Sequence, residues 1–332
     1  LRNDRVLIMA QNAGFEISIL NYCLKLFHLD ASRFSCTAAK AAACSIPRSL
    51  EGVGMAMRLP IQKNMDGNRL VKKYMKPTLA WNKWVKGGRS GIEPKKYYDD
   101  EFELESIYDY CIQDVDTTYL LDKSLPDLSE YERKVWLLNQ AMNFRGVNID
   151  LETVEAVLSM VGIETNRLQI EAEHLTKGAI DSILKRDVVL KYLRGLGLDI
   201  PNMQAGTVSE ILLSPDIPAL ARRLLEIRQQ MSRTSNKKYV AFKERAGADS
   251  RVRDLALYHG ANTGRESGTG IQVHNFPKGK IKNTGFVIDE ILKTKDLDFI
   301  KLCYGDPFEV FSSCARGMIK ASPGHEIFSA DY

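Results

Sequence analysis

The sequence has no apolar run that approaches membrane-spanning length, and its start lacks the basic-then-apolar pattern of a secretory leader. Cysteine is scattered: Cys23, Cys36, Cys44, Cys111, Cys303 and Cys314 form no C-x-x-C pair and have no histidines at zinc-ligand spacing. A reducing, cytoplasmic setting without a structural metal is therefore expected. One-signed charge is lacking as well, because 46 Lys and Arg face 42 Asp and Glu for a net +4. Such an excess says nothing about nucleic acid until the positions of the basic residues are considered. What remains is a chain of 332 residues, 44% apolar, long enough for two or three domains with real cores. It begins inside a strand-like run and stops directly after an acidic residue, so both ends look cut and a fragment of a longer protein is expected.

The residues from Val6 to Ala10 read as a short buried strand, and Asn12 to Glu16 open a helix carrying Ile17, Ile19, Leu20 and Leu24. Asn12 suits a helix cap as well as a ligand contact, and Glu16 suits the first-turn dipole. A helical pattern over 103–121 places Tyr110 and Asp114 four apart on one face, a pair that taken alone is most often plain surface helix. Packing helices are expected over 36–43 and 48–57. The stretch 83–96 is rich in Lys, Arg, Gly and Pro, with Trp81 and Trp84 at its start. It reads either as a stacking surface for single-stranded bases or as a solvated loop.

Further on, Ser129 caps a helix that carries Val135, Trp136 and Met142, and residues 146–150 turn into a short strand. Helices are predicted over 151–177, 180–196, 207–213 and 217–242, broken at Gly195-Leu196-Gly197 and Ile200-Pro201-Asn202. The last helix and its continuation hold Arg222, Arg223, Arg228, Arg233, Lys237, Lys238, Lys243 and Arg245 against only Glu226 and Glu244. Such a run is commonly a solvated face. Lying just upstream of the loop described next, it reads preferentially as a contact to DNA phosphates, each adding about one unit to the log–log salt dependence of binding.

A strand candidate over 251–258 leads into a loop over 258–277 with Gly260, Gly264, Gly268 and Gly270 among Thr263, Arg265, Gln272, His274 and Asn275. Glycines let the backbone approach a ligand, while the guanidinium, carboxamide and imidazole reach phosphates and minor-groove acceptors. The alternative is a glycine-rich surface loop with incidental polar residues. Residues 326–331 read as an apolar strand with Asp331 at its end.

These pieces resemble family A DNA polymerases, most closely the bacteriophage branch. Tyr258-His259-Gly260-Ala261, Thr263-Gly264-Arg265 and His274-Asn275-Phe276-Pro277 are similar to the template–primer contact motif. Glu266, His274 and Lys278 depart from it, standing where an apolar residue, Gln and Arg are common. The resemblance implies DNA contacts from Thr263, Gly264, Arg265, His274 and Asn275, and from Ser235, Lys237 and Lys238 at the base of a thumb next to Tyr239. Asn12 with Glu16, followed by Tyr110 with Asp114, resemble the second and third motifs of the attached 3′–5′ exonuclease domain, with Asn12 touching DNA. There Asp114 and Glu16, the latter in place of an aspartate, would be metal ligands and Tyr110 would orient the attacking water. Two divalent ions about 4 Å apart would do the chemistry. Ser329-Ala330-Asp331-Tyr332 resembles the first palm motif, with Asp331 holding both ions and the Tyr332 carbonyl as a further ligand. Arg316 would either contact the nucleic-acid backbone or pair with an acid.

The implied fold is α/β and α+β: an RNase H-like exonuclease remnant over 1–128, a palm entry and helical thumb over 129–250, and the first part of a palm over 251–332. The implied activity is DNA-directed DNA synthesis with proofreading, using Mg2+, on a primer–template duplex and a single-stranded 3′ end, with deoxynucleoside triphosphates as substrates of the longer parent. A monomer in the cytoplasm of a phage host is expected. The exonuclease's D-x-E motif is absent, since Asn3-Asp4-Arg5 does not supply it. The R-x-x-x-K nucleotide-binding helix and the second palm carboxylate are absent too, so this chain alone is expected to bind DNA without synthesising or proofreading. Three other readings stand beside this one: an RNase D-type nuclease with a helical nucleic-acid-binding module, a non-catalytic DNA-binding scaffold, and an inactive polymerase-like accessory protein.

Overall fold

In a computed structural model of the chain, residues 3, 5–25, 28–60, 65–232, 236–277 and 279–328 are described. They fall into two units that do not follow the linear order of the chain. Leu1–Met142 together with Ala256–Ser267 make unit 1, and Asn143–Leu255 with Gly268–Tyr332 make unit 2.

Unit 1 starts with β1 (Ile8–Ala10) and α1 (Ala13–Ser18), followed by β2 (Phe34–Cys36), which pairs with β1 in parallel as Ile8↔Phe34 to Ala10↔Cys36. Directly behind β2 comes α2 (Thr37–Ala43), whose small alanines at 38, 39, 41 and 42 are all buried. Alanine costs the helix nothing in propensity and lets neighbouring backbones come close. Then come α3 (Leu50–Ala56), α4 (Met65–Tyr74), α5 (Leu79–Lys86) and the long α6 (Glu101–Ser124). Asp100 caps α6 by accepting from the Glu103 N–H at 3.0 Å. Glu101 and Glu103 load its first turn with the charge the dipole favours. Leu50 and Val53 of α3 pack with Ala41, Leu59, Leu121 and Leu125, which fixes α6 against α2 and α3. The expected loop over 83–96 is helical at its start, since α5 reaches Lys86 and turns Trp81 and Trp84 into a tilted ring pair 5.2 Å apart.

The helix α7 (Glu130–Arg145) carries the chain across the boundary at 142. Ser129 caps it, its hydroxyl accepting from the Glu132 N–H at 3.2 Å. In unit 2, β3 (Val147–Ile149) leads into α8 (Leu151–Leu175), α9 (Arg186–Gly195), α10 (Ala205–Leu213), α11 (Ala219–Met231) and α12 (Asn236–Arg245). The strand β4 (Arg251–Val252) precedes β5 (Ala256–Leu257) and β6 (Ser267–Gly268), which bracket the glycine-rich loop. α13 (Thr284–Thr294), α14 (Leu297–Tyr304), α15 (Pro307–Cys314) and β7 (Ile319–Lys320) complete the described elements. Strands order as β4-β3-β7, all antiparallel. The first half of α8 joins α12, α13 and α15 around Phe242, Phe276 and Phe311, and its second half joins α9, α10 and α11 around Leu193, Leu224 and Ile227.

Three further expectations differ. The helix predicted from 180 begins at Arg186, because Ile180 and Ile183 are buried in the preceding turn and the Ile180 N–H is taken by the Thr176 hydroxyl at 3.3 Å. The single helix over 217–242 is two, with residues 233–235 outside the described residues. The strand predicted over 326–331 is not formed at 326–328: Ile327 and Phe328 are exposed with no ladder partner, and apolar character without one makes no strand.

Candidate functional site

Unit 1 holds a cavity of about 760 Å³ between the turn after β1, the first turn of α1, the start of α3 and the middle of α6. Asn12, Glu16 and Asp114 share its wall. Asn12 occupies the N-cap position of α1 yet makes no side-chain capping bond, so its carboxamide is not spent on the helix. One oxygen of Glu16 and one of Asp114 are buried without a hydrogen-bond partner. Burial pushes the Glu16 carboxyl above its usual value, and only a backbone hydrogen bond pulls it back. Tyr110 sits one turn before Asp114, is 7% exposed, and packs so tightly on α4 that a Cβ on Gly67 would lie 2.5 Å from its ring. Its hydroxyl is pushed well above the ordinary phenol value, first by burial and then by its hydrogen bond to Asp114.

Two buried, unpaired carboxylate oxygens are the donors a hard divalent cation takes. The described residues hold no group of three or more His, Cys, Asp or Glu that could bind one, so the pair fits part of a coordination shell rather than a two-metal centre. An uncompensated buried carboxylate also has a measurable signature. With its folded pKa raised, Glu16 favours folding while protonated, and this advantage fades as pH rises from about 4.5 through the folded value. Glu16→Gln is therefore expected to raise Tm at pH 7 by about 2–4 °C, for roughly 1 kcal/mol in a unit of this size, and to leave Tm unchanged near pH 4. Thermal scans at the two pH values check this, and equal shifts would refute it.

The glycine-rich loop divides between the units. In unit 1, Tyr258 is 2% exposed, with its hydroxyl donating to Glu132, and His259 lies 3.2 Å from the same carboxylate. The Tyr258 hydroxyl is held well above its ordinary value by burial and then by Glu132. The Ala261 N–H donates to the Arg265 carbonyl at 2.9 Å and Gly264 N–H to the Ala261 carbonyl at 2.9 Å, so the tip is a closed turn. Gly264 takes φ +78°, and a Cβ on Gly260 would sit 2.0 Å from the Ser267 hydroxyl. This turn holds Thr263 and Arg265 exposed to solvent. Arg48 donates to the Tyr258 carbonyl, and its own carbonyl accepts from the Gln11 carboxamide at 2.8 Å. Arg48 carries no sequence signal beyond its place before the α3 cap Ser49, and composition did not single it out.

In unit 2, His274 Nε2 accepts from the Gly268 N–H at 3.0 Å, and a Cβ on Gly268 would collide with the ring at 1.8 Å. That bond fixes the Nδ1–H tautomer, so Nε2 is spent on the loop and not on a ligand. The Asn275 carboxamide donates to Gln272 at 3.1 Å, and exposed Arg316 donates to the Phe276 carbonyl at 3.2 Å. Lys238 donates to the Ile271 carbonyl at 3.1 Å and stands 4.5 Å over the Phe276 ring, whereas Lys237 is exposed. Ser235, Asp331 and Tyr332 lie outside the described residues.

The basic run is largely employed in folding unit 2. Arg223 makes a bidentate pair with Glu171 at 2.6 and 2.8 Å, and Arg222 donates to the Leu212 and Ser214 carbonyls that end α10. Arg228 donates to the Ile183 carbonyl and Lys243 pairs with Glu155 at 3.1 Å. These four residues therefore hold the helices together, which corrects the expectation that they form a phosphate-facing stripe.

No protein-family model matches the chain. It is similar to a protein named "DNA polymerase" from Bacillus phage SP02, with 30% identity over 338 aligned residues. The alignment takes in 100% of this chain and 50% of the phage protein, so the chain spans about half the length of that curated relative.

Proposed function

We propose that the chain is part of a phage-type family A DNA polymerase, with an exonuclease-like portion over 1–128, a palm entry and thumb over 129–250 and the beginning of a palm over 251–332. The observation that carries this reading is the meeting of Asn12, Glu16 and Asp114 in one cavity from segments about a hundred residues apart in a chain whose whole length aligns with half of a phage protein named "DNA polymerase". In this reading Glu16 and Asp114 bind a divalent cation, Tyr110 orients water and Asn12 contacts the strand. Thr263, Gly264, Arg265 and Asn275 touch primer–template, as does His274 through its remaining Nδ1–H, supported by Ser235, Lys237, Lys238 and Arg316. In the longer parent, Asp331 and the Tyr332 carbonyl join two Mg2+ ions that assist attack of the primer 3′-hydroxyl on a deoxynucleoside triphosphate. The chain as given binds DNA without turnover.

Gel-shift titration of the 332-residue chain tests this. A primer–template duplex is expected to bind more tightly than either single strand. Arg265→Ala should weaken duplex binding by roughly tenfold, the size of one lost guanidinium contact. Equal affinity of the variant would sink the assignment, and nucleotide incorporation by the chain would overturn its expected lack of turnover. A preference for single strands unaffected by Arg265→Ala would favour the RNase D-type alternative.

A further inference from the structure

A second cavity in unit 1, of about 440 Å³, lies between the turn after α2 and the loop residues 259–264. Arg48 lines this cavity and also the one that holds Glu16 and Asp114, so the residue is common to both walls. The two cavities have opposite character. The larger contains two carboxylates, whereas none of the residues lining the smaller is acidic. The nearby carboxylate of Glu132 is already taken by Tyr258 and His259.

Arg48 is half-buried, and among the described residues no carboxylate pairs with it. It donates to the Tyr258 carbonyl, which uses one of five N–H groups. Burial pushes its pKa down, and only the Cys36 thiol and the Tyr258 phenol, not a carboxylate, act against this. A cation held out of water without a counter-charge is costly, and an anion beside it removes the cost. Asn262 places an exposed carboxamide at the other rim of the same cavity. Its turn is closed by the hydrogen bonds from Ala261 and Gly264, so the carboxamide stands on a fixed backbone.

We propose that Arg48 and Asn262 bind a backbone phosphate of a single-stranded polynucleotide whose 3′-terminal residue occupies the neighbouring Glu16/Asp114 cavity. The inference rests on the reading of that cavity as a 3′-end site and adds to it a strand-guiding contact shared between the glycine-rich loop and the carboxylates. A guanidinium on the common wall bridges the two cavities at one point, and a strand passing it must present a phosphate there. A free phosphate or mononucleotide would satisfy the same guanidinium, and the measurement separates the two.

Fluorescence anisotropy with a short 5′-labelled oligothymidylate, at several salt concentrations and in competition with thymidine monophosphate, tests the assignment. Arg48→Ala is expected to weaken oligonucleotide binding roughly tenfold and to reduce the log–log salt slope by about 0.7, with Arg48→Lys restoring most of the slope. Competition by the monophosphate should not change. Asn262→Asp, at an exposed position where folding is not at stake, should weaken the oligonucleotide severalfold by repulsion. Wild-type affinity and slope in both Arg48→Ala and Asn262→Asp would overturn the proposal. Equal loss of monophosphate and oligonucleotide binding would mark a free-phosphate pocket and also overturn it. If the wild-type chain bound no single strand at all, the 3′-end reading itself would fall, a result distinct from failure of the Arg48 contact.

Discussion

Asp122→Ala is expected to destabilise unit 1 by about 3 kcal/mol, seen as a fall in Tm of roughly 6–12 °C. Lys40 of α2 is 5% exposed and donates to Asp122 at 2.7 Å and to Asp127 at 2.6 Å, while the buried Ser35 hydroxyl donates to the same Asp122 oxygen at 3.0 Å. Asp127 is 90% exposed and holds the ammonium only from the solvent side. Removing Asp122 leaves a buried hydroxyl without an acceptor, at about 1–3 kcal/mol, and a buried cation with half its counter-charge. Burial by itself would lower the Lys40 pKa, but hydrogen bonds and charge from Asp122 and Asp127 prevail and raise it above the lysine value of 10.5. Its contribution is therefore complete below pH 10.5 and is lost only as pH climbs beyond that, so the same fall in Tm is expected at pH 6 and pH 8. The pair Lys40→Met with Asp122→Leu should recover the part of the loss that comes from the unpaired ammonium, because apolar contacts replace an ion pair at little net cost, while the Ser35 hydroxyl still lacks its acceptor. A double variant no better than Asp122→Ala would show that the charges themselves are required.

Gly146→Ala should cost unit 2 about 3 kcal/mol in urea titrations. Gly146 has φ +64°, which costs an L-residue roughly 1 kcal/mol, and an added Cβ would lie 2.4 Å from the Val252 carbonyl oxygen. That oxygen cannot retreat, because Val252 is paired with Val147 in the β3–β4 ladder. Gly178 provides the control: φ is +80° there, but nothing lies within 4 Å of the added carbon. Gly178→Ala should therefore cost only the conformational part, about 1 kcal/mol. Equal losses at the two positions would mean that the clash with Val252 is relieved elsewhere.

The local parts of the candidate site were readable from the sequence. Asn12 and Glu16 open α1, and Tyr110 and Asp114 face the same way on α6, because helix spacing depends only on neighbours in the chain. Their meeting in one cavity depends on β1 pairing with β2 and on α6 packing against α3, which no local pattern encodes. The same distinction explains the misread arginines. Glu171 lies 52 residues before Arg223, and Arg228 reaches a carbonyl 45 residues away, so a stretch that looks unopposed in one dimension is matched in three. Three helices over 284–314 carry local signals in the caps Asn283, Asp296 and Asp306 and in Pro307 at a first helical position. Arg48 had no such marker, since its importance comes entirely from the two cavities it separates.

The interleaving of the two units bears on the order in which the protein can be made. Unit 1 takes its closing residues from 256–267, after residues 143–255 have been committed to unit 2. A nascent polypeptide emerging from the ribosome only as far as Met142 has neither the tyrosine whose hydroxyl engages Glu132 nor the carbonyl that receives Arg48. The portion translated first is therefore completed only once most of the helices of unit 2 have been synthesised.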